Sequence, residues 1–330
     1  MMIELLEKLI SIPSISGDES QLAALLSRYF IDKGYRMVTQ DVDADRCNLL
    51  ISKQERVKVL LCTHLDTVAP YIPFTRKGDI VYGRGACDAK GPMVAMIEAF
   101  EQTCRLGFSD VGLLFVVGEE TTSEGAKKAA TLSIGSKFVV VGEPTDNKVA
   151  VGQKGVLMFK LETEGVSGHS ALPHQGESAI HKLVQLLSLW VKKEWGEDAQ
   201  LGGSYVNIGL LNGGVGINVL APRASAKGIF RVATSLEDIH RQIDATLPPD
   251  IRMEIPSESQ PQRLLAIPDL ETTVVSFGSD AAHLRPLGEI VLYGPGSIQN
   301  AHSNNEQITV AELQQAVHDY LLIINYLRRR

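Results

Sequence analysis

The sequence predicts an α/β protein, a mixed sheet with helices on both faces, into which a small ferredoxin-like unit is inserted. Three observations predict this fold. Short apolar runs of strand length recur along the chain, and stretches with apolar residues at helical spacing lie between them. In the middle of the chain the pattern changes to the order βαββαβ. The four runs predicted as buried strands are 57–62, 111–117, 138–141 and 289–292.

Three helices are predicted beside these strands. Residues 18–33 have a helical spacing of apolar side chains, and Gly34 follows as a helix stop. A second helix is expected from about Pro92, between the first two strands, which gives the strand, helix, strand order of an α/β sheet. The last helix opens with Thr309 and Glu312, the pattern of a capping box.

The inserted unit is predicted to occupy residues 156–262, and the sheet domain residues 1–155 and 263–330. A polar stretch at 257–262 is expected to return the chain to the sheet. The predicted elements of the insert are, in order, a strand at 156–161, a helix at 178–191, strands at 205–210 and 224–230, a helix at 236–247 and a strand at 251–255.

Composition excludes several classes of protein. The 330 residues are 44% hydrophobic and 22% charged, with a formal net charge of −7 and scattered basic residues, so nucleic acid is not an expected partner. No apolar run has the length of a membrane span, and the first residues lack the order of a signal peptide, so we expect no membrane and a cytoplasmic location. The four cysteines are widely spaced, which predicts neither disulfides nor a thiolate zinc site.

Metal-type residues directly follow three of the predicted strands. His64 and Asp66 follow the first, Glu119 and Glu120 the second, and Glu143 the third. Each of them alone has an ordinary structural explanation, such as a hydrogen-bonded pair or a solvated turn. Because ligands of open α/β sheets bind beyond the carboxyl ends of the strands, these side chains are expected to converge on one crevice.

Two further candidates lie in glycine-rich loops. Asp88 lies within 83–91, and His302 follows Gly294-Pro295-Gly296. Imidazole together with carboxylate favours zinc, cobalt or manganese over calcium or magnesium. A pair of ions needs a bridging carboxylate, and Asp88, in its tight loop, is the expected bridge.

The motifs together resemble a known family. They are HLDTV at 64–68, GRGACDAKG at 83–91, GEE at 118–120, GEPT at 142–145, GHSA at 168–171 and AHS at 301–303. In this order they resemble the dinuclear zinc aminoacylase and carboxypeptidase family over nearly the whole chain. The ending 293–302 is most similar to the acetylornithine, acetylcitrulline and acetyllysine deacetylases. That branch implies deacylation of an N-acyl amino acid in amino-acid biosynthesis, such as arginine biosynthesis.

The resemblance implies two divalent metal ions, zinc by preference and cobalt as the alternative. It makes His64 and Glu143 ligands of one ion, Glu120 and His302 ligands of the other, and Asp88 the bridge.

The resemblance also implies the catalytic groups. Glu119 becomes the general base, and Asp66 holds the imidazole of the preceding ligand. The inserted unit becomes a lid and dimerisation domain of a homodimer, whose His169 reaches the partner's active site as an oxyanion donor. Asn218 and Arg231 become lid residues that bind the intermediate and the substrate carboxylate.

One geometric expectation and two alternatives remain at this point. Glu119 and Glu120 are expected to point opposite ways, because successive side chains alternate on an extended strand end. A carboxypeptidase or aminopeptidase of the same family would have the same site chemistry with a peptide as substrate. A catalytically inactive binding protein with this fold would usually lose a ligand or the base, and this sequence has all six residues.

Overall fold

The structure, a computed structural model, describes residues 2–330. The chain forms two compact units. Unit 1 contains the residues up to Val151 together with Leu264–Thr273 and Ser279–Arg330, and unit 2 contains Gly152–Arg263 and Val274–Gly278. Every residue after 262 is predicted from the sequence to belong to the sheet domain, so the short segment 274–278 differs from that expectation. It belongs to unit 2 because Gly278 packs on Val156, so closely that a Cβ at Gly278 would lie 2.6 Å from that side chain.

The α-helices of the described chain are α1 (Met2–Ile10), α2 (Ser20–Asp32), α3 (Lys90–Arg105), α4 (Glu124–Ala129), α5 (Ala179–Lys192), α6 (Leu236–Asp244) and α7 (Val310–Arg329). None of these helices is both long and apolar enough to cross a membrane.

The strands in the first half of the chain are β1 (Arg36–Asp41), β2 (Cys47–Ser52), β3 (Val59–His64), β4 (Thr75–Lys77), β5 (Ile80–Tyr82), β6 (Val111–Val116), β7 (Phe138–Val141), β8 (Val149–Gln153) and β9 (Gly155–Glu164). Those in the second half are β10 (Glu197–Asp198), β11 (Gly202–Gly203), β12 (Tyr205–Gly213), β13 (Arg223–Val232), β14 (Ile251–Ser259), β15 (Gln262–Arg263), β16 (Thr272–Val275), β17 (Glu289–Leu292) and β18 (Gln307–Thr309).

The main sheet has the strand order β1-β2-β6-β3-β7-β17-β8. Its four central strands β6, β3, β7 and β17 are parallel, and the outer pairs β1–β2, β2–β6 and β17–β8 are antiparallel. Every residue of β3, β6 and β7 is buried, which is typical of strands covered on both faces. The mixed α/β sheet predicted from the apolar runs is therefore confirmed.

The predicted helices of unit 1 are present, with boundaries shifted by a few residues. The stretch 18–33 forms α2, and the helix expected from Pro92 begins at Lys90 as α3. The capping box of α7 has both of its hydrogen bonds: the Thr309 hydroxyl accepts from the backbone N–H of Glu312, and the Glu312 carboxylate accepts from the backbone N–H of Thr309. Helix α1 and the β1–β2 hairpin were not predicted, although α1 buries Leu5, Leu6, Leu9 and Ile10 at helical spacing.

Unit 2 contains an antiparallel sheet with the order β12-β13-β9-β14. The elements β9, α5, β12, β13, α6 and β14 follow one another along the chain, which is the predicted βαββαβ order, and the small β10–β11 hairpin is additional. Its core is aromatic: Phe159, Trp190, Trp195 and Phe230 are buried, with ring centroids 4.6–5.8 Å apart. This cluster gives unit 2 a core of its own.

We predict that Phe230→Ala destabilises unit 2 by about 3–5 kcal/mol, because it leaves a cavity beneath the ring contacts of the cluster. Urea unfolding followed by tryptophan fluorescence measures the change, since both tryptophans of the cluster are in unit 2. Lys227→Ala, at an exposed position of the same strand, is the control and should change stability by less than about 0.5 kcal/mol. Equal effects of the two substitutions would contradict this account of the core.

Candidate metal centre

The predicted metal-type side chains collect at one edge of the sheet in unit 1. β6, β3 and β7 are neighbouring parallel strands, so their carboxyl ends lie side by side. His64 is the last residue of β3, and Glu143 lies two residues beyond β7. Glu119 and Glu120 follow β6. The shared edge predicted from the sequence is present.

Glu119 and Glu120 lie in a turn after β6. Gly118 has φ of 72°, a left-handed conformation that turns the chain away from the strand direction. The expectation that the two side chains diverge along an extended strand end is therefore wrong, since the backbone is no longer extended there. Ligand atoms of both glutamates lie within 4.8 Å of each other and of a ring nitrogen of His64.

The Asp66 carboxylate holds this turn. Its Oδ1 accepts from the backbone N–H of Glu119 and its Oδ2 from that of Glu120, both at 3.0 Å. The Ser16 hydroxyl donates to Oδ2 at 2.7 Å. Burial favours the neutral acid, but the hydrogen bond from His64 and these donors hold the pKa of Asp66 below its usual value. Asp66 therefore remains an anion that fixes the backbone beneath both glutamates.

The backbone of Asp66, more than its carboxylate, orients His64. Nδ1 of His64 lies 2.9 Å from the Asp66 carbonyl oxygen and 3.5 Å from Oδ1 of the same residue. A carbonyl can only accept, so Nδ1 has the proton and donates it. That leaves Nε2 as the nitrogen available to a ligand or a metal.

Asp88 lies between the two histidines. Its Oδ1 is 3.1 Å from Nε2 of His64, and its Oδ2 is 3.4 Å from Nε2 of His302. The side chain is buried, and each of its oxygens faces one imidazole. This is the arrangement that a bridging carboxylate requires.

The loop that carries Asp88 depends on close backbone packing. It connects β5 to α3, and the N–H groups of Lys90 and Gly91 donate to the Gly85 carbonyl at 2.9 and 3.2 Å. A Cβ on Gly91 would lie 2.2 Å from the carbonyl oxygen of Ala86, so only glycine permits this approach. The glycines of the motif thus bring the aspartate to the sheet edge.

The remaining predicted ligands complete two groups around Asp88. One consists of His64, Asp88 and Glu143, and the other of Asp88, Glu120 and His302, with the ligand atoms of each group within 4.8 Å of one another. Nε2 of His302 lies 2.9 Å from Oε1 of Glu120. His64, Asp88 and Glu143 are buried, whereas the His302 side chain is 49% exposed.

This chain matches the family model described as peptidase family M20/M25/M40 over residues 60–326. The chain belongs to this family. A peptidase M20 domain-containing protein of Schizosaccharomyces pombe is 35% identical over 98% of this chain and 84% of its own length. A protein of Aspergillus clavatus named probable carboxypeptidase is 34% identical over 96% of this chain and 80% of its own length.

Solved structures of other proteins share the fold. A tripeptidase from Staphylococcus aureus has a TM-score of 0.83 and 21% identity, covering 100% of this chain and 98% of that one. A dinuclear metal binding peptidase of the family from Bacillus subtilis has a TM-score of 0.66 and 15% identity, covering 98% and 97%. At these identities the likeness shows the mixed α/β fold alone.

The carboxylate and imidazole atoms of this site are suited to binding metal ions. Oε1 of Glu143 is buried and has no hydrogen-bond partner within the described part of the chain, which is costly unless a cation or water satisfies it. Burial, and then repulsion from Glu143, raise the pKa of Glu119 well above its usual value. Hydrogen bonds to Asp88 and Glu120 raise the pKa of His302 to about 10. Because ligands bind metal in their deprotonated form, a cation bound here would favour the ionised carboxylates and the neutral imidazoles.

Asp280 is a further buried carboxylate of unit 1 and is absent from the site residues predicted from the sequence. It opens a short 3₁₀ turn, and its Oδ1 has no hydrogen-bond partner among residues 2–330. Burial is the main cause that raises the pKa of Asp280 to about 7, while the charge of His64 and a hydrogen bond from Ser123 oppose it. The available signal was an acid that follows the short β-branched run 272–275, which resembles the pattern that indicated the candidate ligands.

The three residues predicted for substrate and intermediate lie in unit 2. His169 forms an isolated bridge with Val219, and the Ser170 N–H donates to the Asn218 carbonyl at 3.0 Å, so His169 and Asn218 are neighbours. Both are exposed. Arg231 lies on β13, half-buried. Their roles in catalysis stay predictions.

We predict that Asp66→Asn loosens the turn that holds Glu119 and Glu120. The substitution replaces one acceptor oxygen by an NH₂ group, which leaves one of the two backbone donors unpaired at a cost of about 1–3 kcal/mol. Amide hydrogen exchange of residues 118–124 should accelerate roughly tenfold or more.

Asp43→Asn is the matched control. Asp43 also accepts from two backbone N–H groups, those of Asp45 and Arg46, but in an exposed turn where water can replace it. Exchange in 118–124 should be unchanged in this variant. An Asp66→Asn protein with native exchange in that segment would show that the carboxylate does not hold the turn.

Proposed function

We propose that this M20-family chain hydrolyses the amide bond between an acyl group and the nitrogen of an amino acid that has a free carboxylate. In this proposal two divalent ions are held by His64 and Glu143 on one side and by Glu120 and His302 on the other, with Asp88 between them. Zinc suits this set of imidazole and carboxylate donors, and cobalt is the alternative.

The observation that carries the proposal is the position of Asp88. One carboxylate oxygen faces the free nitrogen of His64 and the other faces that of His302. Two three-residue groups share this single carboxylate, and each supplies one imidazole and one further glutamate. A purely structural hydrogen-bonded aspartate would not need two such groups around it.

Glu119 is the proposed proton carrier. Its ligand atom groups with those of His64 and Glu120, but not with Asp88, so it is the glutamate least suited to hold an ion at the bridge. When bound, the divalent ions supply Lewis-acid activation of the amide carbonyl and of the attacking water. Glu119 then accepts the proton of that water and delivers it to the nitrogen of the leaving amino acid.

Two kinds of acyl group fit this bond. If the acyl group is acetyl or succinyl, the enzyme is an N-acyl amino acid deacylase for ornithine, citrulline or lysine derivatives, as the ending 293–302 favours. If the acyl group is itself a peptide, the same reaction is that of a carboxypeptidase, which the name of the Aspergillus clavatus relative favours. In both cases the product amine is an amino acid, and Arg231 is the proposed partner of its carboxylate.

A homodimer through unit 2 is part of the proposal. Strand β12 is at the edge of its sheet and pairs with no other strand on its outer side within the described residues. Leu210 and Leu211 on this strand are exposed, as are Val184 and Val191 on one face of α5. An unpaired edge beside exposed apolar side chains supports association of two copies, and His169 would act in the neighbouring subunit.

A cytoplasmic location is also proposed. All four cysteines are unpaired thiols, and Cys62, Cys87 and Cys104 are buried, which fits a protein kept in a reducing compartment.

The metal centre predicts a separation of roles between the adjacent glutamates. Glu119→Gln should retain two ions and lose roughly 10²-fold or more in turnover, because only the proton carrier is removed. Glu120→Gln should lose one ion, and Asp88→Ala both. Elemental analysis after dialysis against zinc measures the occupancy. Metal loss in Glu119→Gln, with full occupancy in Glu120→Gln, would reverse the assignment.

The substrate class is tested by a hydrolysis panel with zinc- and cobalt-loaded enzyme. The panel contains the acetyl and succinyl derivatives of ornithine, citrulline and lysine, dipeptides ending in the same amino acids, and each compound with its carboxylate converted to the carboxamide. Compounds with the free carboxylate should be cleaved, and their carboxamides should have KM raised by about tenfold or more, as for loss of a charge-assisted hydrogen bond. Preference for carboxamides with a free amino terminus would indicate an aminopeptidase and contradict the proposal.

The dimer is tested by mixing two inactive variants, His169→Ala and Glu119→Gln. Removal of an oxyanion donor costs on the order of 10² to 10³ in turnover, so each variant alone should be nearly inactive. A mixed dimer has one site with the native Glu119 of one subunit and the native His169 of the other, so activity should return after subunit exchange. If exchange is verified by labelled subunits and no activity returns, His169 does not act across the dimer.

A further inference from the structure

Glu306 is a buried carboxylate of unit 1 that belongs to none of the ligand groups, yet it contacts the loop of the bridging aspartate. Its residue is 1% exposed. Oε1 accepts from the backbone N–H groups of Cys87 and Asp88 at 3.1 and 3.2 Å. Oε2 accepts from Nη1 of Arg84 at 2.6 Å. The Glu306 carboxylate therefore holds the backbone at Asp88, and with it the starting point of the Asp88 side chain.

Arg84 extends this connection to the other ligand loop. It is 1% exposed, and Nη1, which donates to Glu306, also donates to the Ser303 carbonyl at 3.2 Å. Nε donates to the Pro70 carbonyl at 3.1 Å. Ser303 directly follows His302, so one ion pair joins the backbone of the bridging aspartate to the backbone beside the exposed histidine.

The two sides of the proposed metal pair differ in their other supports. His64 ends a buried strand of the sheet and donates to the Asp66 carbonyl. His302 lies in a turn with φ of 61° and a side chain 49% exposed, and its ring contacts Glu120 and Asp88. The position of His302 thus depends on its own loop, to which Arg84 is attached.

We propose that Arg84 and Glu306 are positioning residues that set the distance between Asp88 and His302 and thereby the affinity of the ion on the His302 side. This inference rests on the proposed pair of ions. The ion on the side of His64 and Glu143 depends less on Arg84 and Glu306, because Asp88 is the only ligand that it shares with the other ion. Outer partners of metal ligands typically change metal affinity by about 10- to 100-fold.

The ion pair is not explained by stability alone. Taking two charges out of water opposes the gain from their attraction, so a buried pair is often no more stabilising than well-packed apolar side chains. Removing only one partner would leave a buried charge uncompensated. The informative variant is therefore the double substitution Arg84→Met with Glu306→Gln, which removes both charges and keeps similar volume.

The experiment measures zinc dissociation constants of the native protein and the double variant by competition with a chromogenic chelator, alongside thermal unfolding. We expect the weaker ion of the double variant to have its dissociation constant raised about tenfold or more, and the tighter ion to be nearly unchanged. The effect should be non-additive with His302→Ala, since Arg84 and Glu306 are proposed to act on this ion by positioning His302. In a His302→Ala background the double substitution should therefore change metal binding little.

The control is the Lys33–Glu101 pair of unit 1, joined at 2.5 Å, with Glu101 4% exposed and the Lys33 side chain 36% exposed. Lys33→Met with Glu101→Gln removes this pair and should leave both dissociation constants unchanged. If the double variant does not fold, Arg84→Lys is measured instead. A lysine keeps the charge but lacks the planar fork of donors, so it should weaken the same ion to a smaller extent.

The outcomes separate the two proposals. Two ions bound by the native protein with unchanged constants in the variant, or equal weakening of both ions, would overturn the positioning role while leaving the metal pair intact. A native protein that binds fewer than two ions would contradict the metal pair and this inference with it.

Discussion

The constraint on which the rest of this structure depends is the burial of several carboxylates at one edge of a sheet. Parallel β6, β3 and β7 bring their ends together, and the glycine loop adds Asp88 between them. Like charges in a buried site repel, which raises the pKa of Glu119 and Glu143 after burial itself has done so. Two imidazoles offset part of this charge. Divalent cations bound at the shared Asp88 would offset more of this negative charge. Metal binding would therefore stabilise the buried carboxylates that the fold brings together.

Holding such a centre requires anions that are not ligands. Asp66 and Glu306 have similar structural roles. Each is buried and accepts hydrogen bonds from two adjacent backbone N–H groups, at or next to a candidate ligand. The backbone N–H groups stabilise the ionised form of these carboxylates, and the same hydrogen bonds restrict the backbone conformation. The ligand side chains are thus positioned through their own peptide groups. This explains why a motif of short glycine turns can present charged side chains without a rigid element beneath each one.

The sequence was sufficient to predict the parts of the structure that burial of apolar side chains determines. Fully buried strands and a change of period predicted the sheet, the βαββαβ insert and the edge where His64 and Glu143 meet, because burial determines both pattern and position. It was insufficient to predict the side-chain positions that depend on the local backbone conformation. The turn at Gly118 reversed the expectation for Glu119 and Glu120, and the carbonyl of Asp66 bonds to His64 more closely than its carboxylate does. Asp280 comes from a distant segment, and only tertiary packing brings it to the charged cluster.

The proposed function places the chemistry of the bond and the choice of substrate in different parts of the chain. The candidate ligands and the proposed proton carrier all belong to unit 1, where the ends of parallel strands bring several of them together. His169, Asn218 and Arg231 belong to unit 2, and the first two lie on exposed turns whose side chains can change at little cost to the core. A peptide and an acetyl group present the same amide to the metal centre. Under the proposed function, discrimination between them falls to the exposed turns of unit 2, which can diverge while the candidate ligands of unit 1 are retained.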